Sequence, residues 1–413
     1  MPERLSNEAQ TILKGVKKEH CGFSEVNWFI HEMAHRFQPE RLTGDKPELI
    51  IVGEDFPAEV ALAVCDHPRF LLGGSLEITH WSDAVLPRDA DPVSRSVCGW
   101  LLNKHFHMGS DALVVVTLSN DNRRKLAGLL KAHDLEVLPV DMPPVYTAAG
   151  QSTWVEEMLR AAREIATRLH TRFTARHLTR AIQEIRQLRQ VIQVFQRTTL
   201  KTPGCMSPAL REIIVESVWY AEERSEWLRH LQQLTGQIVT WQRLYYVPED
   251  NRPWVITAGS PIIFPNEKLP LLLEASGLFL AGKIDALSVQ ADMPAPSVHH
   301  FDSVGDILKR MAAERMLREV SGAWTMNRGL TDTVRDTLKR QPIDGIVYHV
   351  LKGQIEYDFE LPRVEAIATE YNVPVFRLET DYQQQDVEQL RIRMEAFSEM
   401  LQQRNIERMR LAQ

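Results

Sequence analysis

"SDALVVVTLSNDNRRKLAGLLKAHDLEVLPVD", residues 110–141, decides the fold. The run from Ala112 to Thr117 is apolar without alternation, as expected of a strand covered on both faces in a parallel sheet. A polar turn, an amphipathic helix and another strand follow, which makes the segment a strand–helix–strand unit. Upstream, "PELIIVGEDFPAEVALAV" (47–64) reads as a short apolar strand, a turn containing Pro57 and a helix start.

Residues 152–242 change character. Apolar residues recur at three and four spacing among dense Arg, Glu and Gln, so helices follow one another. Thr174 is an N-cap for a helix through Leu178, Ile182, Ile185 and Leu188. "TPGCMSP" (202–208) breaks it from another helix through "ALREIIVESVWYAEERSEWLRHLQQL" (209–234). This charged stripe is a solvated face and receives no ligand role. From Arg252 the alternation resumes in "RPWVITAGSPIIFPNEKLPLLLEASGLFLA" (252–281) and "IDGIVYHVLKGQIEYDFELPRVEAIATEYNVPVFRLETDY" (343–382), with a terminal helix from about Val387.

The expected fold is α/β: two doubly wound parallel-sheet lobes, Rossmann or flavodoxin-like, joined by a helical region. The boundaries are a helical N-terminal segment over 1–45, a first lobe over 46–150, the helical region over 151–245 and a second lobe with its C-terminal helix over 246–413.

Bulk properties narrow the function. A chain of 413 residues with 44% hydrophobic composition exceeds one compact core. Its net charge of −7, without a long basic stripe, argues against nucleic-acid binding. No signal-peptide pattern and no long apolar span occur, so a cytoplasmic, membrane-free protein is expected. Cys21, Cys65, Cys98 and Cys205 match neither a disulfide framework nor metal knuckles, and read as reduced, packed thiols.

Ligands of doubly wound sheets bind beyond the carboxyl ends of the strands, which selects three loops. They are "LPRDADPVSRS" around Asp91, "TLSNDNRRK" around Asn120 and "HVLKGQIEYD" around Gln354. None holds a nucleophile–base pair, a glycine-rich dinucleotide fingerprint or a P-loop. "TAGSP" (257–261) could offer backbone amides to an anion, but such a turn more often closes a strand. A rival motif, "HEMAH" (31–35), sets His31 and His35 one helical turn apart with Glu32 as a general base for a zinc-bound water. Glu54 or Glu59 could be the third ligand; the plainer reading is an exposed helix with two ordinary histidines. "HFH" (105–107) and His299–His300 are read as structural. His349, Lys352 and Ser260 are placed to meet a ligand if one enters the second lobe's crevice.

The order and content of these segments resemble the subunits of 2-hydroxyacyl-CoA dehydratases and benzoyl-CoA reductases, the 2-hydroxyglutaryl-CoA dehydratase D-component type. The resemblance is carried by "GEDFPAEVALAV", "LPRDADPVSRSVCGWLL", "SDALVVVTLSNDNRRK", "RPWVITAGSPI", "DGIVYHVLKGQ" and, most specifically, "NVPVFRLETDYQQQDVEQLRIRMEAFSEML". It implies a four-iron four-sulfur cluster between two lobes, fed single electrons by an ATP-dependent activator, acting on an acyl-CoA in a dimer of subunits.

The resemblance further implies cluster cysteines after "PRD", before the aspartate of the second loop and after "LKG". Here those positions read Asp91, Asn120 and Gln354. Clusters require soft thiolates, so no directly bound cofactor is expected. Cys98, seven residues beyond Asp91, reads as a packed thiol on the following helix. The expected role is a cluster-free partner of a cysteine-complete homologous subunit, or an acyl-CoA-binding homologue. The alternatives are a non-catalytic ligand-binding or scaffold protein and, as an outlier, a zinc hydrolase through His31, Glu32 and His35. The three polar residues are either filler in a vacated crevice or a pocket for a different ligand.

Overall fold

The computed structural model describes residues 2–44, 48–79, 82–87, 89–103, 111–245, 251–291, 293–325 and 328–412. The histidines of "HFH" lie outside them. Three helices come first, α1 (Pro2–Val16), α2 (Val26–Arg36) and α3 (Pro39–Gly44). The first lobe follows as β1 (Leu49–Val52), α4 (Ala58–Val64), β2 (Arg69–Phe70), α5 (Pro92–Leu102), β3 (Leu113–Thr117), α6 (Asp121–Ala132) and β4 (Val137–Val140). The helical region holds α7 (Ala148–Arg168), α8 (Ala175–Leu200), α9 (Pro208–Glu216) and α10 (Arg224–Leu244). Then come β5 (Trp254–Gly259), α11 (Lys268–Ala275), β6 (Phe279–Ile284), α12 (Val304–Arg318) and α13 (Arg328–Arg340). The chain ends with β7 (Gly345–Leu351), α14 (Glu356–Glu370), β8 (Val375–Thr380) and α15 (Val387–Ala412).

Both sheets are four-stranded and wholly parallel, in the orders β2-β1-β3-β4 and β6-β5-β7-β8. The expected pair of parallel-sheet lobes is therefore present. Every residue of β1, β3 and β7 is buried, as the apolar runs of β1 and β3 require of central strands, and β7 buries His349 along with its apolar residues. In the second sheet Ile256, Ala258, Ile346 and Tyr348 face one core while Val255 and Val347 face the other, roofed by Leu390, Met394 and Phe397 of α15.

Thr174 caps α8, its hydroxyl accepting from His177 N, and Leu178, Ile182, Ile185 and Leu188 are all buried. The helix expected over 209–234 is two helices, with a 3-10 turn at Ser217–Trp219 between α9 and α10. The bend has a packing cause. Trp227 folds back so that its indole N–H donates to Ser217 Oγ at 2.8 Å, while Glu216 turns to accept from Phe264 N at 2.7 Å. A continuous helix would place those groups along one rod.

One core runs through the N-terminal helices, the first lobe, α7 to α10 and α12. Although α12 lies between β6 and β7 in sequence, it packs on α7 and α8. No helix among the described residues is long and apolar enough to cross a membrane.

Candidate functional site

In each sheet the chain leaves the two central strands in opposite directions, which opens a crevice at their carboxyl ends. The crevice of the first lobe faces the loop after β7. Its floor is built at the end of β1, where Gly53 has φ +123° and an added Cβ would lie 2.0 Å from Thr117 Oγ1. Only glycine lets the chain turn there, and the turn delivers Glu54 and Asp55 to Arg123 on the first turn of α6.

Arg123 is 9% exposed and engages both of its terminal nitrogens. Nη1 donates to Asp55 Oδ1 at 2.9 Å, Thr117 Oγ1 at 3.1 Å and Ser119 Oγ at 2.9 Å, and Nη2 pairs with Glu54. Thr117 in turn donates to Asp55 at 2.5 Å. Burial opposes the guanidinium charge, but Glu54 and Asp55 more than offset it and hold Arg123 above its usual range. Glu319, buried nearby, is pushed up to about 7, chiefly by desolvation and then by Asp55. Desolvation also raises Glu356, with Asp91 and Glu54 adding repulsion.

The loop after β7 closes on this floor. Gly353, at φ +84°, brings its backbone so near that a Cβ would stand 3.0 Å from Asp91 N and 3.2 Å from Asp89 O. Asn122 Nδ2 reaches Gly353 O at 3.5 Å, and Gln354 Nε2 reaches Asp91 Oδ1 at 3.5 Å, both at the long limit of a hydrogen bond.

Asp91 and Gln354 thus meet, and the loop that carries Asn120 reaches them through Asn122. Asp91 caps α5, accepting from Ser94 N at 3.0 Å, with Pro92 in the first helical position. Asn120 caps α6, accepting from Arg123 N at 2.9 Å. Gln354 is 7% exposed. Asp91 Oδ2 and Gln354 Oε1 are buried without a hydrogen-bond partner among the described residues.

The other candidates stand apart. His349 is 4% exposed; its Nδ1 meets Ser260 O at 2.9 Å and its Nε2 meets Thr380 Oγ1 at 2.8 Å. Burial lowers it to about 4, so it is a neutral tie across β5, β7 and β8. Ser260 N donates to His349 O and its hydroxyl accepts from Leu351 N, so the "TAGSP" amide closes a strand. Lys352 is exposed and bonds Asp381 at 3.0 Å. His31 is exposed on α2 with its ring 6.2 Å from that of His35, which accepts from Arg41. Glu54 is engaged by Arg123 and Glu59 by Arg189. Among the described residues no three His, Cys, Asp or Glu side chains are grouped as metal ligands. His299 and His300 are exposed in a turn.

The four thiols lie elsewhere. Cys98 is fully buried on α5, where desolvation pushes it up to about 12, and Cys205 is buried likewise. Cys21 reaches Gly204 O at 3.3 Å, and Cys65 ends α4. Sequence reading missed the Arg123 network, although two carboxylates directly after an apolar strand, with an arginine in the next helix start, were a usable signal.

The family described as 2-hydroxyglutaryl-CoA dehydratase, D-component, matches residues 55–401. The chain is 23% identical over 354 residues to the (R)-phenyllactyl-CoA dehydratase beta subunit of Clostridium sporogenes, covering 84% of this chain and 89% of that protein. It is likewise 23% identical over 352 residues to the protein named "Putative dehydratase subunit YjiM" of Escherichia coli strain K12, with the same coverage.

Proposed function

Starting from the fact that this chain belongs to the 2-hydroxyglutaryl-CoA dehydratase D-component family, we propose that it is a cluster-free dehydratase subunit that works beside a cysteine-complete homologous subunit. The observation that carries this reading is the donor set where the three loops meet. Asp91, Asn120 and Gln354 offer one carboxylate and two neutral amides, and the first two are already committed as helix caps. These hard oxygen donors do not fit an iron–sulfur cluster, which is held by thiolates. The sulfur atom on the adjoining helix, Cys98, is buried and kept protonated by desolvation.

On this reading the partner supplies the low-potential electron and the activator serves that partner. This chain's residues hold the interlobe wall. Arg123 keeps Glu54 and Asp55 paired and out of solvent, and Gly353 seals the second lobe against Asp91. The relative named a beta subunit supports a multi-subunit assembly. Benzoyl-CoA reductase-like chemistry, an acyl-CoA ligand, a dimeric state and a cytoplasmic location belong to the same proposal.

The test is iron and acid-labile sulfide analysis of the chain purified without oxygen, alone and coexpressed with a cysteine-complete homologue. Expected are no stoichiometric iron alone and copurification of the pair. Stoichiometric iron and sulfide on the chain alone would sink the reading, and failure to pair under conditions where the homologue folds would favour a separate binding protein. A triple Asp91→Cys, Asn120→Cys, Gln354→Cys variant should gain broad absorption near 400 nm on reconstitution, which the wild type should lack.

A further inference from the structure

Two of the four cysteines, far apart along the chain, stand opposite each other. Cys21 follows α1, and Cys205 lies in the turn between α8 and α9. The two segments run antiparallel there: His20 is bridged to Met206, Ser207 N donates to Glu19 O at 2.7 Å and Cys21 N donates to Cys205 O at 2.8 Å. The register therefore puts Cys21 directly across from Cys205. Residues so placed have α-carbons about 4.5–5.5 Å apart and project their side chains to one side of the ladder. That separation falls within the span of about 4.4–6.8 Å that a disulfide bridges.

The sulfurs agree with the backbone. Cys21 Sγ donates to Gly204 O at 3.3 Å, so it rests on the peptide group that leads into Cys205. Cys205 is buried, and desolvation pushes its thiol up to about 12, with the neighbouring Cys21 as the next contributor. Cys21 is exposed, and partial burial alone raises its thiol. One thiol open to solvent beside one sheltered thiol suits an attacking and a resolving pair.

We propose that Cys21 and Cys205 form a reversible disulfide, a redox-operated clamp that fastens the N-terminal helices to the turn between α8 and α9. Both thiols are free in this structure, so the bond forms on oxidation. The oxidant is a small disulfide. The Cys21 thiolate attacks one of its sulfurs, breaking that S–S bond and expelling one small thiolate. Cys205, its proton passing to solvent base, then attacks the Cys21 sulfur of the mixed disulfide and expels the second. Two protein thiols and one small disulfide thus give one protein disulfide and two small thiols, which carry away the electron pair and the two protons. The closed loop takes in the whole first lobe with α7 and α8, and a crosslink over so long a loop restricts the unfolded chain strongly. The clamp shares no residue with the interlobe crevice and stands whether or not the cluster-free reading does.

The experiment exposes the reduced full chain, without oxygen, to bis(2-hydroxyethyl) disulfide in mildly alkaline buffer. Intact mass, a non-reducing peptide map and the thermal midpoint are then read. Expected are a loss of about two mass units, linked peptides holding Cys21 and Cys205, and reversal of both by dithiothreitol. The midpoint should rise by roughly 3–6 °C in the oxidised chain. Cys205→Ala should instead keep the small thiol on Cys21 as a lasting mixed disulfide, and Cys65→Ala should form the bond as the wild type does. A wild type that retains the mixed disulfide on Cys21, links other cysteines, keeps all its thiols free or shows an unmoved midpoint once linked would overturn the assignment.

Discussion

At Gly353 a missing side chain does as much as any side chain present. Its φ of +84° strains any other residue, and a Cβ would press on Asp91 N at 3.0 Å. Gly353→Ala should cost about 1–2 kcal/mol, read as a lowered urea midpoint with an unchanged slope. Gly128, exposed on α6 with nothing within 4 Å, is the control: Gly128→Ala should stabilise by about 0.5–1 kcal/mol. Arg123 is the third residue whose environment sets its role. Arg123→Met strands Glu54 and Asp55 in a buried place and should cost about 3–5 kcal/mol, seen as a fall in thermal midpoint.

At the scale of elements, the loop before α11 and the end of α9 bring buried carboxyls together. Glu267 is wholly buried, neither carboxyl oxygen has a hydrogen bond among the described residues, and burial with repulsion from Glu216 raises it well above the carboxylate range. Glu8 and Glu319 are raised to about 7, mainly by desolvation. A raised carboxyl makes the folded state bind more protons than the unfolded one between the two pKa values, so stability falls as pH rises through that window. His349, lowered to about 4, acts oppositely below its ordinary value of 6.5, where the unfolded state binds the extra proton. Above pH 6.5 the raised carboxyls set the trend among these groups, and stability should decline from there toward pH 8. Glu267→Gln should flatten that decline, as measured by urea titrations across the range; an unchanged slope would exclude Glu267 as a source.

At the scale of the whole molecule, the lobes meet backbone to backbone. An added Cβ on Gly74 would lie 2.2 Å from Phe264 O, and Tyr382 donates its hydroxyl proton to Gly73 O at 3.2 Å. Gly74→Ala should therefore wedge the first lobe from the segment after β5, at a cost of about 1–3 kcal/mol, and speed protease nicking there. Because α12 packs on α7 and α8 within the core of the first lobe, the two halves should unfold in one transition.

Local pattern by itself determined the parallel lobes, the helical region and the loops that hold Asp91, Asn120 and Gln354. The apolar run of β3, the three and four spacing of α8 and the Thr174 cap are written within a few residues of each other. Even the caps at Asp91 and Asn120 were legible from the polar residue before each helix start, though neither was read as a cap. The long-range contacts had no such period. Only folding brought Arg123 to Glu54 and Asp55, set Gln354 beside Asp91 and turned His349 inward as a neutral tie. Those arrangements depend on groups far apart along the chain meeting in a medium without water, where each charge and donor must find a partner in space and not in sequence.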